Sequence, residues 1–167
     1  RWKDVKIHIR KIKDPLLADV LQWHYLTSHG SPGNYEDVRK FLDKRPDWPK
    51  RSTMVKRAEE TIPSSMSAEE TLGAIVAMGG PLSAMGQVRY GEALLKTGQK
   101  KAAALMLRAV WVEGNFTTAQ EKSFYRRHKK ILTKDDHLRR LDRLIWEKRS
   151  YKAKRQLWKI DKKMRAL

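Results

Sequence analysis

Helix start and stop signals return again and again along this chain, and they leave room only for short helices between them. Asp14-Pro15 pairs a capping acid with proline at a first helical position, and opens a segment over 15–27. Gly30-Ser-Pro-Gly33 is a loop, after which Asn34 caps a segment over 35–44. Pro46 disfavours helical backbone at Arg45 and ends that segment. In the corner Arg45-Pro-Asp-Trp-Pro49, Asp47 is expected to cap a helix over 48–61. Trp48 and Pro49 would occupy its first turn, with the Trp48 ring a wedge buried in the corner. Ile62-Pro63 breaks the chain again. Ser67-Ala-Glu-Glu70 is a capping box, and Gly79-Gly80-Pro81 stops the helix that it opens. Gly98 closes a helix over 83–97. Thr118 with Glu121 reads as a further capping box whose helix runs to about 131, Thr133 caps 134–148, and Ser150 caps a last helix.

Apolar residues recur at helical spacing between these signals. Leu17, Val20, Leu21 and Tyr25 lie down one side of the second segment; Val38, Phe41 and Leu42 face inward on the third. Leu138, Leu141, Leu144 and Ile145 form an inward face, as do Ala153, Leu157, Ile160 and Met164 at the end. The segment 2–12 carries Val5, Ile7 and Ile9 at a spacing of two, which suits strand as well as helix. Elsewhere nothing alternates between turn signals as a strand does. The stretch 90–110 resembles half of a tetratricopeptide repeat, with Gly98 five residues before Ala103, though the period is not kept. The expectation is an all-α fold: an irregular superhelix of about ten short antiparallel helices, TPR-like in part, forming a single domain over 1–167.

Charge adds a second constraint. The net is +18, and residues 120–167 hold 18 Lys or Arg against 6 Asp or Glu, a balance of +12. Such a face attracts polyanions: nucleic acid, anionic lipid or an anionic cell-wall polymer. No apolar run is long enough to span a membrane. The absence of cysteine removes disulfide and thiol chemistry. The chain opens on Arg-Trp-Lys without an initiator methionine and reads as a piece of a longer protein.

Four stretches in order point to a family. "DPLLADVLQWHYL", then "FLDKRPDWP" followed by "AEE", resembles the N-terminal superhelical (U-type) region of soluble lytic murein transglycosylases. "GQVRYGEALLKTGQKKAAALMLRAVW" and "LTKDDHLRRLDRLIW" match more closely. The latter is similar to the family's His-x-x-Arg-Leu-Asp-x-Leu-Leu-Trp stretch, at His137, Arg140, Leu141, Asp142, Leu144, Ile145 and Trp146. The resemblance covers residues 14–161. It implies cell-wall turnover in the periplasm, cleavage of the glycan between N-acetylmuramic acid and N-acetylglucosamine without water, and no metal or organic cofactor. It also implies partners: the peptidoglycan glycan strand and a C-terminal lysozyme-like catalytic domain that a superhelical region accompanies.

That catalytic domain is missing from this sequence. The family's acid and base is one glutamate in a Glu-Ser pair, and none of the nine glutamates here precedes a serine. Glu59, Glu60, Glu69 and Glu70 read as charged or capping residues, and Glu92 as exposed or paired with a cation. His8, His24, His29, His128 and His137 lack the spacing of a zinc site, and no serine lies in a nucleophile elbow. Arg140 and Asp142 are expected to tie neighbouring helices together, and Trp111, Trp146 and Trp158 to pack between hairpins. No catalytic, cofactor-binding or metal-binding residue is assigned. The expected role is a non-catalytic scaffold that shapes a peptidoglycan channel. The alternatives are a helical-repeat adaptor for a protein partner and, less in keeping with the apolar stripe at the end of the chain, a basic nucleic-acid-binding domain built on Tyr151 and Trp158.

Overall fold

A computed structural model describes residues 2 and 4–160. Among these residues there are ten α-helices, one 3-10 turn and no strand, so the expected all-α fold of short helices holds. The helices are α1 (Val5–Lys11), α2 (Pro15–Thr27), α3 (Tyr35–Lys44), α4 (Arg51–Thr61), α5 (Ala68–Ala77), α6 (Ala84–Lys96), α7 (Lys100–Glu113), α8 (Thr118–His128), α9 (Lys134–Trp146) and α10 (Ser150–Lys154); the 3-10 turn is Leu157–Lys159. They group into two compact units, Arg1–Gly86 and Gln87–Leu167.

In the first unit three caps act where the sequence places them. Asp14 accepts from the Leu16 and Leu17 N–H groups, and Asn34–Asp37 and Ser67–Glu70 close reciprocal capping boxes. Helix C-termini are held by arginines from other helices. Arg57 of α4 donates to the Leu26 carbonyl at 2.5 Å and to the Ser28 carbonyl at 2.6 Å, at the end of α2. Arg51 reaches the Met78 carbonyl at 3.1 Å, past the end of α5. The buried side chains include Tyr25, Leu26, Val38, Phe41, Met54, Val55 and Ile75.

Two expectations fail in this unit. The helix after the corner begins at Arg51, not at Trp48, and Asp47 does not cap it; its N-cap is Lys50, in the left-handed region at φ 58° with no side-chain cap. The reason is Pro49. It disfavours helical backbone at Trp48 just as Pro46 does at Arg45, so the chain stays in turns until both prolines are passed. The Trp48 ring is half-buried and meets Phe41 edge to face at 5.7 Å, so the wedge survives without the helix. On α2, Leu17, Val20 and Leu21 are exposed, and the packed face is turned toward Asp19, Tyr25 and Leu26. Two polar anchors fix that rotation. Asp19 is buried between Lys44 at 2.6 Å and Arg45 at 2.9 Å, and Trp23 donates its indole N–H to the Pro49 carbonyl at 2.8 Å.

In the second unit, close approach of α6 and α7 depends on small residues. A Cβ at Gly91 would lie 2.8 Å from Leu107 Cγ, and Ala103 is fully buried. Thr133 caps α9 as expected, and Asp136 closes a capping box with it. The last helix is shorter than expected. Ser150 is its first residue rather than its cap, and the α-helix ends at Lys154. Ala153 and Ile160 are buried as expected, whereas Leu157 and Ile145 are exposed; Met164 lies outside the described residues. Trp111 is fully buried, but Trp146 is 80% exposed and does not pack between hairpins.

Candidate functional site

The interior of the second unit is unusually polar, and it contains the stretch that carries the family resemblance. Four elements contribute: the end of α7, the first turn of α8, the middle of α9, and the segment from α10 through the 3-10 turn. Alanines and Leu107 bring α7 against its neighbours, which leaves Trp111 as the largest fully buried side chain. Its indole N–H donates to His137 Nδ1 at 3.2 Å. Nδ1 therefore acts as acceptor, and the neutral imidazole carries its proton on Nε2. Burial pushes His137 below its ordinary value, and the positive charge of Lys159 adds to the shift.

Arg140, one turn along α9, has no exposed surface. One of its terminal nitrogens donates to the Trp111 carbonyl and, at 3.2 Å, to the Gly114 carbonyl. Its guanidinium carbon lies 4.5 Å from the Trp111 ring centroid. Arg143 adds a bond to the Val112 carbonyl at 2.7 Å, so two arginines of α9 satisfy the free carbonyls at the end of α7. The expectation for Arg140 is met. Asp142 is exposed and takes no part in that joint.

The other terminal nitrogen of Arg140 reaches Glu121 Oε2 at 3.3 Å. Glu121 is the hub of the site. Its Oε2 also accepts from Arg155 at 3.0 Å, and its Oε1 accepts from the Gln156 amide at 2.8 Å. Lys159 Nζ lies 3.6 Å from Oε1 and donates to Gln156 Oε1 at 2.9 Å. The Lys159 amine is ringed by the Trp111, Tyr125 and Trp158 rings at 5.1, 5.0 and 4.9 Å from their centroids. Glu121 is not the capping residue that the sequence suggested. Thr117 and Gln120 form that box one position earlier, and this frees Glu121 to turn inward. Arg155, Gln156 and Lys159 were not legible as partners, because their spacing on the last segment matches an ordinary solvated helix face.

The electrostatics of Glu121, Glu92, Asp136 and Asp19 run one way. Burial alone would raise the Glu121 carboxyl, but hydrogen bonds from Arg155 and Gln156 and the charges of Arg140 and Lys159 hold it below its ordinary value of 4.5. Glu92 is also lowered against its burial, by His128 Nε2 at 2.8 Å and Arg127 Nε at 2.9 Å. Its pairing with a cation is as expected. Asp136, bonded to Arg108 at 2.8 Å, and Asp19 are lowered in the same way. Lys159 is pushed down to about 8, by burial first. These carboxylates stabilise the fold where they are ionised. Their contribution is fully present above their unfolded values of about 4 to 4.5 and is lost as pH falls through the lower folded values. The urea midpoint should therefore drop steadily below about pH 4.5, and a midpoint unchanged down to about pH 3 would contradict the pairings. Lys159 acts with the same slope in another window: stability rises with pH from about 8 toward its ordinary 10.5.

Among the described residues, no three His, Asp or Glu side chains gather as a metal-ligand set, and no helix is long and apolar enough to cross a membrane. Glu59, Glu69 and Glu70 have structural settings. Glu59 is fully buried and accepts from the Leu82 and Ser83 N–H groups at 2.6 and 2.7 Å, at the entry to α6. Glu69 and Glu70 lie in the first turn of α5, where Glu70 completes the capping box. Comparison of the chain with protein-family models, with curated proteins and with solved structures finds no match.

Proposed function

We propose that this chain is the non-catalytic superhelical region of a periplasmic soluble lytic murein transglycosylase, a support that shapes the path of a glycan strand. The observation that carries the reading is the use made of the His137–Trp146 stretch. Its motif residues His137 and Arg140 are spent on the end of α7 and on Glu121, so the family-like stretch serves as a structural joint. The electrostatics agree. A glycosidic acid needs a carboxyl held protonated near neutral pH, whereas cations hold Glu92 and Glu121 below their ordinary values. The basic balance of residues 120–167 supplies a long-range attraction to an anionic wall polymer.

Sedimentation with insoluble peptidoglycan sacculi tests this. The purified chain should pellet with sacculi at low salt, be released progressively as salt rises, and liberate no anhydro-sugar product. A chain that stays soluble at every salt concentration ends the channel reading. Capture of a protein partner that persists at high salt would favour the adaptor instead.

A further inference from the structure

Among the described residues, the charge balance around Glu121 does not close. A single carboxylate serves three cations, Arg140, Arg155 and Lys159, at 3.3, 3.0 and 3.6 Å. The side chains of Arg140 and Lys159 are almost wholly buried. Asp136 of α9, the other fully buried acid of this unit, is engaged by Arg108. A surplus of positive charge removed from water is costly, and it is relieved either by giving up a proton or by a counter-anion. The depression of Lys159 to about 8 marks the strain of the first remedy. The Arg155 Nε is buried and has no hydrogen-bond partner.

The cluster opens onto a cavity of about 250 Å³ lined by Glu121, Lys122, Tyr125, Arg155, Trp158 and Lys159. Three cations thus share its lining with one carboxylate that is already saturated. Its walls are aromatic: Tyr125 and Trp158 meet edge to face at 5.4 Å, and Trp158 is 59% exposed. Next to it, the Arg155 guanidinium lies 5.1 Å from the centroid of the Tyr151 ring, which is 73% exposed. The volume lies below the roughly 300–1,000 Å³ of drug-sized pockets, so it suits one sugar or a very short peptide end rather than a length of polymer. A planar guanidinium and two ammonium groups recognise a carboxylate, and an exposed indole face covers the apolar side of a sugar ring or an alkyl chain.

We infer that this cavity binds a carboxylate carried on a small, partly apolar group of peptidoglycan, the acid meeting Arg155 and Lys122 and the apolar face lying on Trp158. The identity of the ligand rests on the proposed function above; the anionic character of the ligand rests on the charge surplus alone. Two sources supply such a group, the lactyl acid of N-acetylmuramic acid and the acid end of a stem peptide.

Calorimetry on the whole chain distinguishes them. The probes are free N-acetylmuramic acid, a disaccharide tetrapeptide, the same disaccharide tetrapeptide with its carboxyls amidated, a simple acetylated dipeptide acid, and a short oligothymidylate. Trp158→Ala and Lys122→Glu change exposed side chains and are checked for unaltered helix content. The expected result is binding of at least one acid probe, weakened about tenfold or more by amidation and by each variant. Preference for N-acetylmuramic acid assigns the sugar acid, and preference for the tetrapeptide the peptide end. Equal binding of the amidated probe, indifference to both variants, or tighter binding of oligothymidylate at matched salt overturns the inference. If sacculi still pellet with the chain while both variants bind the acid probes unchanged, the pocket is wrong and the channel reading stands. If the chain takes up a simple acetylated dipeptide acid through Trp158 and Lys122 but never pellets with sacculi, the carboxylate pocket stands and the peptidoglycan reading falls.

Discussion

Glu121→Gln should destabilise the chain far more than Arg140→Met, although the second change alters the larger buried side chain. The glutamine keeps the volume but removes the carboxylate that, among the described residues, alone serves Arg140, Arg155 and Lys159. Leaving buried cations uncompensated costs about 3–5 kcal/mol. Arg140→Met removes one cation from a set that has too many. Glu121 retains Arg155, Gln156 and Lys159; what is lost is the Arg140–Glu121 bond, the carbonyl bonds at Trp111 and Gly114, and the contacts with the Trp111 and Phe116 rings. Those bonds are worth about 1–3 kcal/mol, partly offset by the relief of cation repulsion. Urea denaturation of the two variants at neutral pH measures the difference directly. If Arg140→Met costs as much as Glu121→Gln, the carboxylate is not the scarce partner, and the argument for an anionic ligand loses its base.

The second large effect lies in the other unit. Glu59→Ala should cost roughly 2–5 kcal/mol, because it takes from the Leu82 and Ser83 N–H groups their buried acceptor and removes an anion from the entry to α6. Gly86→Ala attacks the same place from the opposite side, since its Cβ would overlap the Glu59 carboxylate. Each single change is destabilising, but the double variant should cost clearly less than the sum, because the new methyl enters space that the carboxylate has left. Additive losses in a double-mutant cycle would mean that the two residues do not share one site.

Local signals in the sequence carry most of this fold. Asp14, Asn34, Ser67 and Thr133 each cap the helix assigned to them, because a cap is decided by a few neighbouring residues. Apart from the Pro46–Pro49 corner and the Ser150 cap, the errors arise where a distant partner outweighs the local pattern. The aliphatic stripe of α2 suggested one buried face, but Asp19 and Trp23 are claimed by Lys44, Arg45 and the Pro49 carbonyl, and they rotate the helix. Glu121 looked like a capping acid because glutamate three residues after a threonine fits that pattern; Thr117 and Gln120 take the role, and the surplus carboxylate becomes the hub. The contributions of Arg155, Gln156 and Lys159 depend on contacts more than thirty residues apart along the chain, which no short-range pattern encodes. Arg140 was legible because the resemblance singled it out, whereas Asp142, singled out by the same stretch, faces solvent.

On the proposed reading, Glu121 and Glu92 are ionised struts held by cations. Carbon-detected NMR titration of the glutamate carboxyls tests this most directly. Both should titrate below their ordinary 4.5 and remain ionised throughout the neutral range. Titration of either carboxyl above about pH 6, the behaviour of a group kept protonated for acid catalysis, would contradict it.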